Sequence, residues 1–120
     1  MEAAQTPEDV LRIGELELRP EGGLVVAGGR ALTLSVREFG LLVALARRAG
    51  RIVPRDELFR LVWGGPLRAG DRSIDVYVHK LRVKLEEALP ATTYIHTHVG
   101  FGYRFSPEAS HKFHNTATSP

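Results

Sequence analysis

The spacing of hydrophobic residues changes along the chain and separates a strand-rich beginning from a helical middle. In residues 11–34, apolar and polar positions alternate in three short runs, separated by glycine pairs at 22–23 and 28–29. Alternation with period two is typical of half-buried strands, and paired glycines are typical of turns. The pattern therefore predicts a small antiparallel sheet.

Two segments with the helical period follow, at 35–49 and 55–63. The first opens on Ser35 with Glu38 three positions later, which is the capping-box signature of a helix start. The apolar residues fall on one face of each segment: Phe39, Leu42, Val43 and Ala46 in the first, and Leu58, Leu61 and Val62 in the second. We predict two helices that bury their apolar faces. The residues expected in the core are Phe39, Leu42, Leu58, Leu61 and Val62.

The segment 72–89 predicts a third helix. Its core-facing stripe consists of Ile74, Val78, Leu81 and Leu85, at spacings of 4, 3 and 4. Asp71 is a favourable N-cap residue, and Pro90 stops the helix.

The opposite face of this third helix mixes basic residues with short apolar ones. Its members are Arg72, Ser73, Val76, Tyr77, His79, Lys80, Val83 and Lys84, with Asp75 and Arg82 beside the apolar stripe. Lys and Arg neutralise phosphates, and small apolar groups contact thymine methyls. The face is that of a DNA-binding helix or of a cationic surface helix, and the segment alone leaves both interpretations open.

Two strand-like runs around a pair of glycines predict a β-hairpin at about 93–106. Two helices joined by a short loop, the second with a basic outer face, form a helix-turn-helix, and a hairpin directly after it is a wing. We therefore predict a domain at 10–106. Residues 1–9 are typical of a flexible linker or tail, and residues 107–120, which lack periodicity, are expected to be a disordered tail.

Length and composition favour one cytoplasmic domain. The chain has 120 residues and no cysteine, which suits one core and excludes disulfides and thiolate metal sites. The longest apolar run, Phe39 to Ala46, is too short to cross a bilayer, and the N-terminus lacks signal-peptide features. We expect no contact with membranes.

The net charge of +2 hides a local excess of cations. Residues 1–34 hold three Arg and six acids, residues 35–53 hold four Arg and one Glu, and residues 54–106 hold eight Lys or Arg and six acids. Cations concentrated in one part of a chain suit docking on a polyanion.

Candidate catalytic and metal-binding residues are few. His96 and His98 lie on the same side of a predicted strand, but no third ligand stands near them in the sequence. Asp56 and Glu57 occupy the first turn of a helix, where the dipole favours acids. Nucleophile elbows, phosphate-binding loops and HExxH motifs are absent from the sequence. We expect no enzyme, no metal site and no cofactor.

Four pieces of the chain resemble the C-terminal effector domain of OmpR/PhoB-type response regulators: LTLSVREFGLLVAL, GRIVPRDELFRLVWG, RSIDVYVHKLRVKLE and THVGFGYRF. The resemblance runs from about Leu11 to Ser106. It implies an α+β winged helix-turn-helix with an N-terminal antiparallel four-stranded sheet, three helices and a C-terminal β-hairpin wing. It also implies sequence-specific binding of double-stranded DNA by a transcriptional regulator, with the third helix in the major groove and the wing near the minor groove.

The resemblance implies roles for individual residues. Arg72 corresponds to an arginine that contacts a phosphate, Trp63 to a tryptophan whose indole N–H can donate to a phosphate, and Lys80 to a base-reading position. With the basic face of the third helix and the wing positions, the predicted interface comprises Trp63, Arg72, Ser73, Asp75, Val76, Tyr77, His79, Lys80, Arg82, Val83, Lys84, Thr97, His98 and Tyr103.

Other partners follow from the same resemblance. The loop Gly64–Asp71 corresponds to a segment that touches RNA polymerase in some members. Family members usually carry a receiver domain before the effector domain, so a receiver is an expected partner within a longer protein. We expect this chain alone to be a monomer that pairs on tandem DNA repeats.

Two positions depart from the family pattern. Val99 stands where the wing usually has an arginine, so minor-groove readout by arginine is not expected. His98 and the tail residues Lys112 and His114 are candidates to replace it. Pro54 stands where a capping Ser or Thr is common, and we expect Asp56 or water to satisfy the first turn of that helix.

One alternative function fits the same helix face. Winged helices also bind proteins, and Val76, Tyr77 and Val83 would then anchor a partner while the basic residues form the rim. The two functions differ in their response to salt, because DNA binding weakens log-linearly with salt concentration and an apolar contact does not.

Overall fold

The computed structural model describes residues 9–110, which form three α-helices and seven β-strands. The elements, in chain order, are β1 (Leu11–Ile13), β2 (Leu16–Arg19), β3 (Leu24–Ala27), β4 (Arg30–Ala31), α1 (Val36–Ala46), β5 (Ile52–Val53), α2 (Arg55–Trp63), α3 (Ser73–Ala88), β6 (Thr92–His98) and β7 (Gly102–Ala109). The predicted order of sheet, three helices and hairpin is confirmed. In the described residues, no helix is both long and apolar enough to span a membrane.

The N-terminal sheet is an antiparallel meander in the order β1-β2-β3-β4. Leu16 pairs with Ala27, and Leu18 pairs with Val25. All four side chains are buried, whereas the residues between them in the strands are partly exposed. The alternation seen in the sequence therefore places one face of this sheet on the core.

The second sheet has the order β5-β7-β6, so the strand that ends the wing lies in the middle. Gly102 opens this strand with a φ of +142°, and a Cβ there would lie 2.1 Å from the carbonyl oxygen of Val53. Only glycine fits this close approach. β7 continues to Ala109, which pairs with Thr92, so the predicted end of the domain at 106 is three residues too early. Strand pairing, which periodicity did not reveal, resumes at Glu108 after a register irregularity opposite Tyr94.

The helices are positioned by their apolar faces, with three corrections to the predicted core. Leu41, Leu42 and Leu45 of α1 are fully buried, because α1 packs against α2, α3 and β7 and so buries more than one stripe. Phe39 is only half-buried. Leu61 is 46% exposed, and its predicted burial is wrong. Val62 is only half-buried at the edge of the core. Leu58 alone is fully buried in α2, and so short a helix does not specify its inner face by spacing.

The ends of the helices use the predicted polar groups. Ser35 Oγ accepts from the Glu38 amide at 3.2 Å, and the Glu38 carboxylate accepts from the Ser35 amide at 2.8 Å. Pro54 caps α2 without a side-chain hydrogen bond, and Asp56 accepts from the Glu57 amide at 2.9 Å. The N-cap of α3 is Arg72, one residue after the predicted Asp71, and its side chain makes no capping hydrogen bond. Asp71 instead accepts from the Ser73 amide at 2.8 Å and so stabilises the start of α3.

Candidate nucleic-acid interface

The buried side of α3 fixes which of its residues face outward. Ile74, Val78, Leu81 and Leu85 are at most 3% exposed, which confirms the predicted stripe. On the opposite side, Arg72, Val76, His79 and Val83 follow one another at spacings of 4, 3 and 4, and Lys80 lies beside them. We call these five residues the α3 ridge. All are exposed, including the two valines at 46% and 42%.

The cations of the ridge make few contacts within the protein. The Arg72 side chain is 79% exposed and lies 3.5 Å from a carboxylate oxygen of Asp75. The Lys80 ammonium lies 4.9 Å from the centre of the Tyr77 ring, a cation–π contact at the surface. Both cations therefore extend from α3 in positions where they can meet an anion.

One flank of the ridge ends in an aromatic group that joins α2 to α3. Trp63 stacks on Phe59, with ring centres 5.0 Å apart, and meets the edge of Tyr77 at 5.5 Å. Arg37 of α1 lies over the indole at 4.9 Å and donates to the Val62 carbonyl at 2.7 Å. Trp63 and Tyr77 are half-buried, and their rings hold the helices together.

On the flank of the ridge that faces the wing, Asp75 of α3 contacts Tyr103 of β7. The Tyr103 hydroxyl donates to the Asp75 carboxylate, which also accepts from Arg55 Nε at 2.8 Å. Burial raises the pKa of Asp75, but the hydrogen bonds from Tyr103 and Arg55 and the nearby guanidinium charges outweigh it and lower the pKa. Burial, together with the Asp75 hydrogen bond, raises the pKa of Tyr103. The pair is therefore an ionised carboxylate and a neutral phenol.

Arg82 contacts the wing two turns further along the same flank. Its guanidinium donates to the Ile95 carbonyl at 3.0 and 3.2 Å and to Thr97 Oγ1 at 2.6 Å. It also lies 5.7 Å from the centre of the Tyr103 ring. Burial lowers the pKa of Arg82, but a guanidinium still keeps its proton at neutral pH. The Arg82 guanidinium therefore makes its hydrogen bonds largely within the protein.

Lys84 and Ser73 are also engaged within the domain. The Lys84 ammonium donates to the Glu38 carboxylate at 2.7 Å and to the Thr33 carbonyl at 3.3 Å. The Ser73 hydroxyl donates to Asp71 at 2.6 Å. The predicted interface thus divides into the exposed ridge and a set of residues with partners inside the domain.

The tip of the wing is apolar. Val99 is 88% exposed and Phe101 is 72% exposed. His98 Nε2 accepts from Arg104 Nε at 3.0 Å, so this histidine is held as an acceptor. Its neighbour on the same side, His96, lies 2.8 Å from the Ser106 carbonyl oxygen. Across residues 9–110 no group of three or more potential ligands is placed to hold a metal ion, and Lys112 and His114 lie outside the described residues.

Sequence analysis missed Arg55 as a member of this surface. It starts α2, donates to Asp75, and lines a cavity with Leu67, Arg68 and Arg72 between α2, α3 and the loop that joins them. A basic residue in the first turn of a helix is unfavourable to the helix dipole. That unfavourable position was the available signal that Arg55 has a partner elsewhere.

Comparisons with known proteins agree with this architecture. The family model described as "Transcriptional regulatory protein, C terminal" matches residues 29–105. The alkaline phosphatase synthesis transcriptional regulatory protein SphR of Synechococcus elongatus is 41% identical over 101 residues, which are 84% of this chain and 39% of that protein. The DNA-binding response regulator MtrA of Mycobacterium tuberculosis is 36% identical over 101 residues, 44% of its length. The chain thus spans less than half the length of these curated relatives.

Solved structures with the same fold include two DNA-binding domains. The RstA DNA-binding domain of Klebsiella pneumoniae, in complex with the RstA box, has a TM-score of 0.75 and 34% identity, over 83% of this chain and 99% of that one. The DNA-binding domain of CpxR from E. coli has a TM-score of 0.75 and 31% identity, over 85% and 99%. This chain is similar to both along nearly their whole length.

Proposed function

Because the chain belongs to the OmpR/PhoB-type family of C-terminal domains of transcriptional regulatory proteins, we propose that it binds double-stranded DNA sequence-specifically as the effector domain of such a regulator. α3 enters the major groove, and the wing lies near the minor groove. Recognition of this kind needs no reaction on the DNA, and we propose no enzymatic activity. A cytoplasmic location suits this function.

The observation that carries the proposal is the α3 ridge. Arg72 and Lys80 extend from a ridge on which two of the other exposed side chains, Val76 and Val83, are short. The major groove is about 12 Å wide and admits one helix, and short side chains let the helix backbone approach the base edges. A ridge that combines cations with short apolar groups therefore fits a surface of phosphates and thymine methyls.

We assign different roles to the residues of the predicted interface. Arg72 and Trp63 contact phosphates, and Lys80 reads a base, with guanine O6 and N7 as the preferred acceptors. Val76 and Val83 contact thymine methyls, and His79 lies between them on the ridge. The remaining predicted residues support the ridge and the wing through their contacts within the domain: Ser73, Asp75, Tyr77, Arg82, Lys84, Thr97, His98 and Tyr103.

The partners of the whole regulator belong to the same proposal. The curated relatives are response regulators more than twice as long as the matched part, which supports a receiver domain as a partner in a longer protein. The loop Gly64–Asp71 is the proposed contact with RNA polymerase. The chain alone is a monomer, and two copies pair on tandem repeats.

Selection of bound sequences from a random double-stranded DNA pool tests the function. A conserved motif should emerge, and binding to it should weaken log-linearly as salt is raised. The matched variants are Arg72→Ala, which lowers binding to all sequences, and Glu87→Ala, which changes an exposed residue outside the ridge. A pool that stays random, or binding that does not respond to salt, would contradict the proposal and favour a protein partner for the same face.

A further inference from the structure

The flank of α3 that faces the wing makes two polar contacts, one with each wing strand. Asp75 accepts from Tyr103 of β7, and Arg82 donates to Ile95 and Thr97 of β6. Asp75 and Arg82 are seven residues apart, which is about two helical turns, so both side chains leave α3 on the same side. We call Asp75, Arg82, Thr97 and Tyr103 the helix–wing clamp.

The two contacts meet at one place in the wing. Thr97 and Tyr103 are partners in the β6–β7 register, and the Arg82 guanidinium lies over the Tyr103 ring. Two residues of α3, two turns apart, therefore contact a single pair of opposed strand residues. Contacts at two separate points restrain the direction of the hairpin relative to α3 as well as its position.

The clamp lies at the junction between the anchored base of the wing and its exposed tip. On the base side, Tyr103 pairs with Val53 of β5, and Gly102 lies directly against that strand. On the tip side, Val99 and Phe101 are largely exposed. The clamp is therefore placed where it can act on the orientation of the tip relative to α3.

A carboxylate on a DNA-facing helix also needs explanation, because it repels phosphates. The Asp75 side chain is only 23% exposed and has Arg55, Arg72 and the Tyr103 hydroxyl as partners. Its negative charge is balanced within the domain, and its acceptor capacity is used by the wing. This arrangement suits a role in holding the wing rather than in contacting a base.

We propose that Asp75 and Arg82 are positioning residues that, through Tyr103 and Thr97, fix the angle between α3 and the wing and thereby the offset between the base pairs read in the major groove and the flanking base pairs met by the wing. The inference rests on the proposed DNA-binding function. It assigns operator preference at the flank to residues that contact no base.

The decisive variant is Tyr103→Phe, which removes the hydroxyl and keeps the ring in the core. Tyr94→Phe is the matched control, because Tyr94 is also a buried tyrosine of the wing sheet, but its hydroxyl contacts Ile13 and Glu15 at the turn between β1 and β2. A merely structural role for the Tyr103 hydroxyl would make the two variants behave alike.

The free protein provides the first measurement. The chain has no cysteine, so spin labels can be attached through Glu87→Cys at the exposed end of α3 and Val99→Cys at the wing tip. The distance distribution between the labels should be narrow in the parent protein and in Tyr94→Phe, and broader in Tyr103→Phe. Asp75→Asn, which keeps an oxygen acceptor for the hydroxyl, should stay narrower than Asp75→Ala.

DNA binding provides the second measurement, on operators selected with the parent protein and altered only in the flanking base pairs. Tyr103→Phe should lower the discrimination between these operators by about three- to tenfold, as expected for residues coupled by direct contact. Preference at the major-groove base pairs should be unchanged, and combining Tyr103→Phe with Asp75→Ala should cause no further loss.

The two measurements separate the inference from the function on which it rests. A broadened distance distribution together with weakened flank discrimination supports the clamp. A distribution that stays as narrow as in Tyr94→Phe, or full flank discrimination by Tyr103→Phe, overturns it. A broadened distribution in a protein that selects no DNA motif supports the clamp as a mechanical device and overturns the proposed function.

Discussion

Lys80 and Arg82 are cations two residues apart on α3, and the fold uses them in opposite ways. Lys80 extends from the exposed ridge and lies over the Tyr77 ring, whereas Arg82 makes three hydrogen bonds to β6. A turn of about 200° separates two positions at this spacing, so one faces outward and the other faces the wing. Positive charge on a DNA-binding helix therefore does not identify a DNA contact until the neighbouring elements are known.

Removing the core beneath both cations should have the largest effect. Leu81 lies between them and is fully buried, so Leu81→Ala should lower the free energy of unfolding by about 2–5 kcal/mol. Leu61→Ala is the control, since this leucine is 46% exposed and should cost far less. Chemical denaturation measures both. Equal stability losses would mean that the inner faces of α2 and α3 are wrongly assigned.

The contrast between the two cations becomes measurable in the absence of DNA. Arg82→Met keeps much of the aliphatic length but removes the hydrogen bonds to Ile95 and Thr97, and should lower the free energy of unfolding by about 1.5–3 kcal/mol. Lys80→Met should change it by no more than about 0.5 kcal/mol, as is usual for exposed positions. Thermal and denaturant unfolding provide the comparison, and a similar cost for both variants would contradict it.

In DNA binding the order of the two cations should be reversed, because Lys80 belongs to the exposed ridge and Arg82 does not. Lys80→Ala should cost about 1–3 kcal/mol of binding free energy and relax preference at one base pair. Arg72→Ala should weaken binding to all sequences alike and lower the salt slope by about 1. Titrations on a set of single-base operator variants at several salt concentrations distinguish the two. A uniform loss on Lys80→Ala would move that residue to the phosphate-contacting class.

The wing tip offers a gain rather than a loss. Val99→Arg adds a cation at an 88% exposed position and should tighten binding by about two- to fivefold, within the range of one exposed ion pair. The gain should be larger when an A-tract flanks the site, because a narrow minor groove favours arginine. Phe101→Ala should change sequence preference little. Unchanged affinity of Val99→Arg on both kinds of operator would mean that the wing lies away from the groove.

The ion pair between Lys84, a third cation of α3, and Glu38 should make stability depend on pH. Burial raises the pKa of Glu38, but the hydrogen bonds and charge of Lys84 and the Ser35 amide outweigh it and lower the pKa in the folded state. The stability that this carboxylate contributes is therefore present above its unfolded pKa and is lost as pH falls through that value and below. Unfolding measured against pH should show a smaller acid-side loss for Glu38→Gln than for the parent. The exposed Glu87→Gln is the control for removing one charge.

The three helices, the N-terminal sheet and the wing could be predicted from the sequence, because they depend on local signals. The Ser35–Glu38 capping box, the Ile74-to-Leu85 stripe and the glycine-marked turns each lie within a few residues of one another, and each is confirmed. Local spacing also identified the outward ridge of α3. It did not place Leu61, whose exposure depends on how α2 packs against its neighbours.

The division of the predicted interface could not be read from spacing. Arg82 with Thr97, Asp75 with Tyr103, and Lys84 with Glu38 join residues 15, 28 and 46 positions apart. No periodic pattern encodes such pairs, because each is created by the packing of separate elements. The resemblance to a known family supplied the positions expected near DNA but not the partner that each side chain has within this domain.

The short segment between His98 and Gly102 has a consequence for how such proteins diversify. Its two apolar residues, Val99 and Phe101, are largely exposed, while the strands on either side are anchored at Tyr103 and against Val53. Substitutions in the tip therefore leave the core untouched and are exempt from the packing constraints that govern the rest of the domain. Replacing this tip by one that carries an arginine at the position of Val99 should be a practical way to add flanking specificity on an unchanged scaffold.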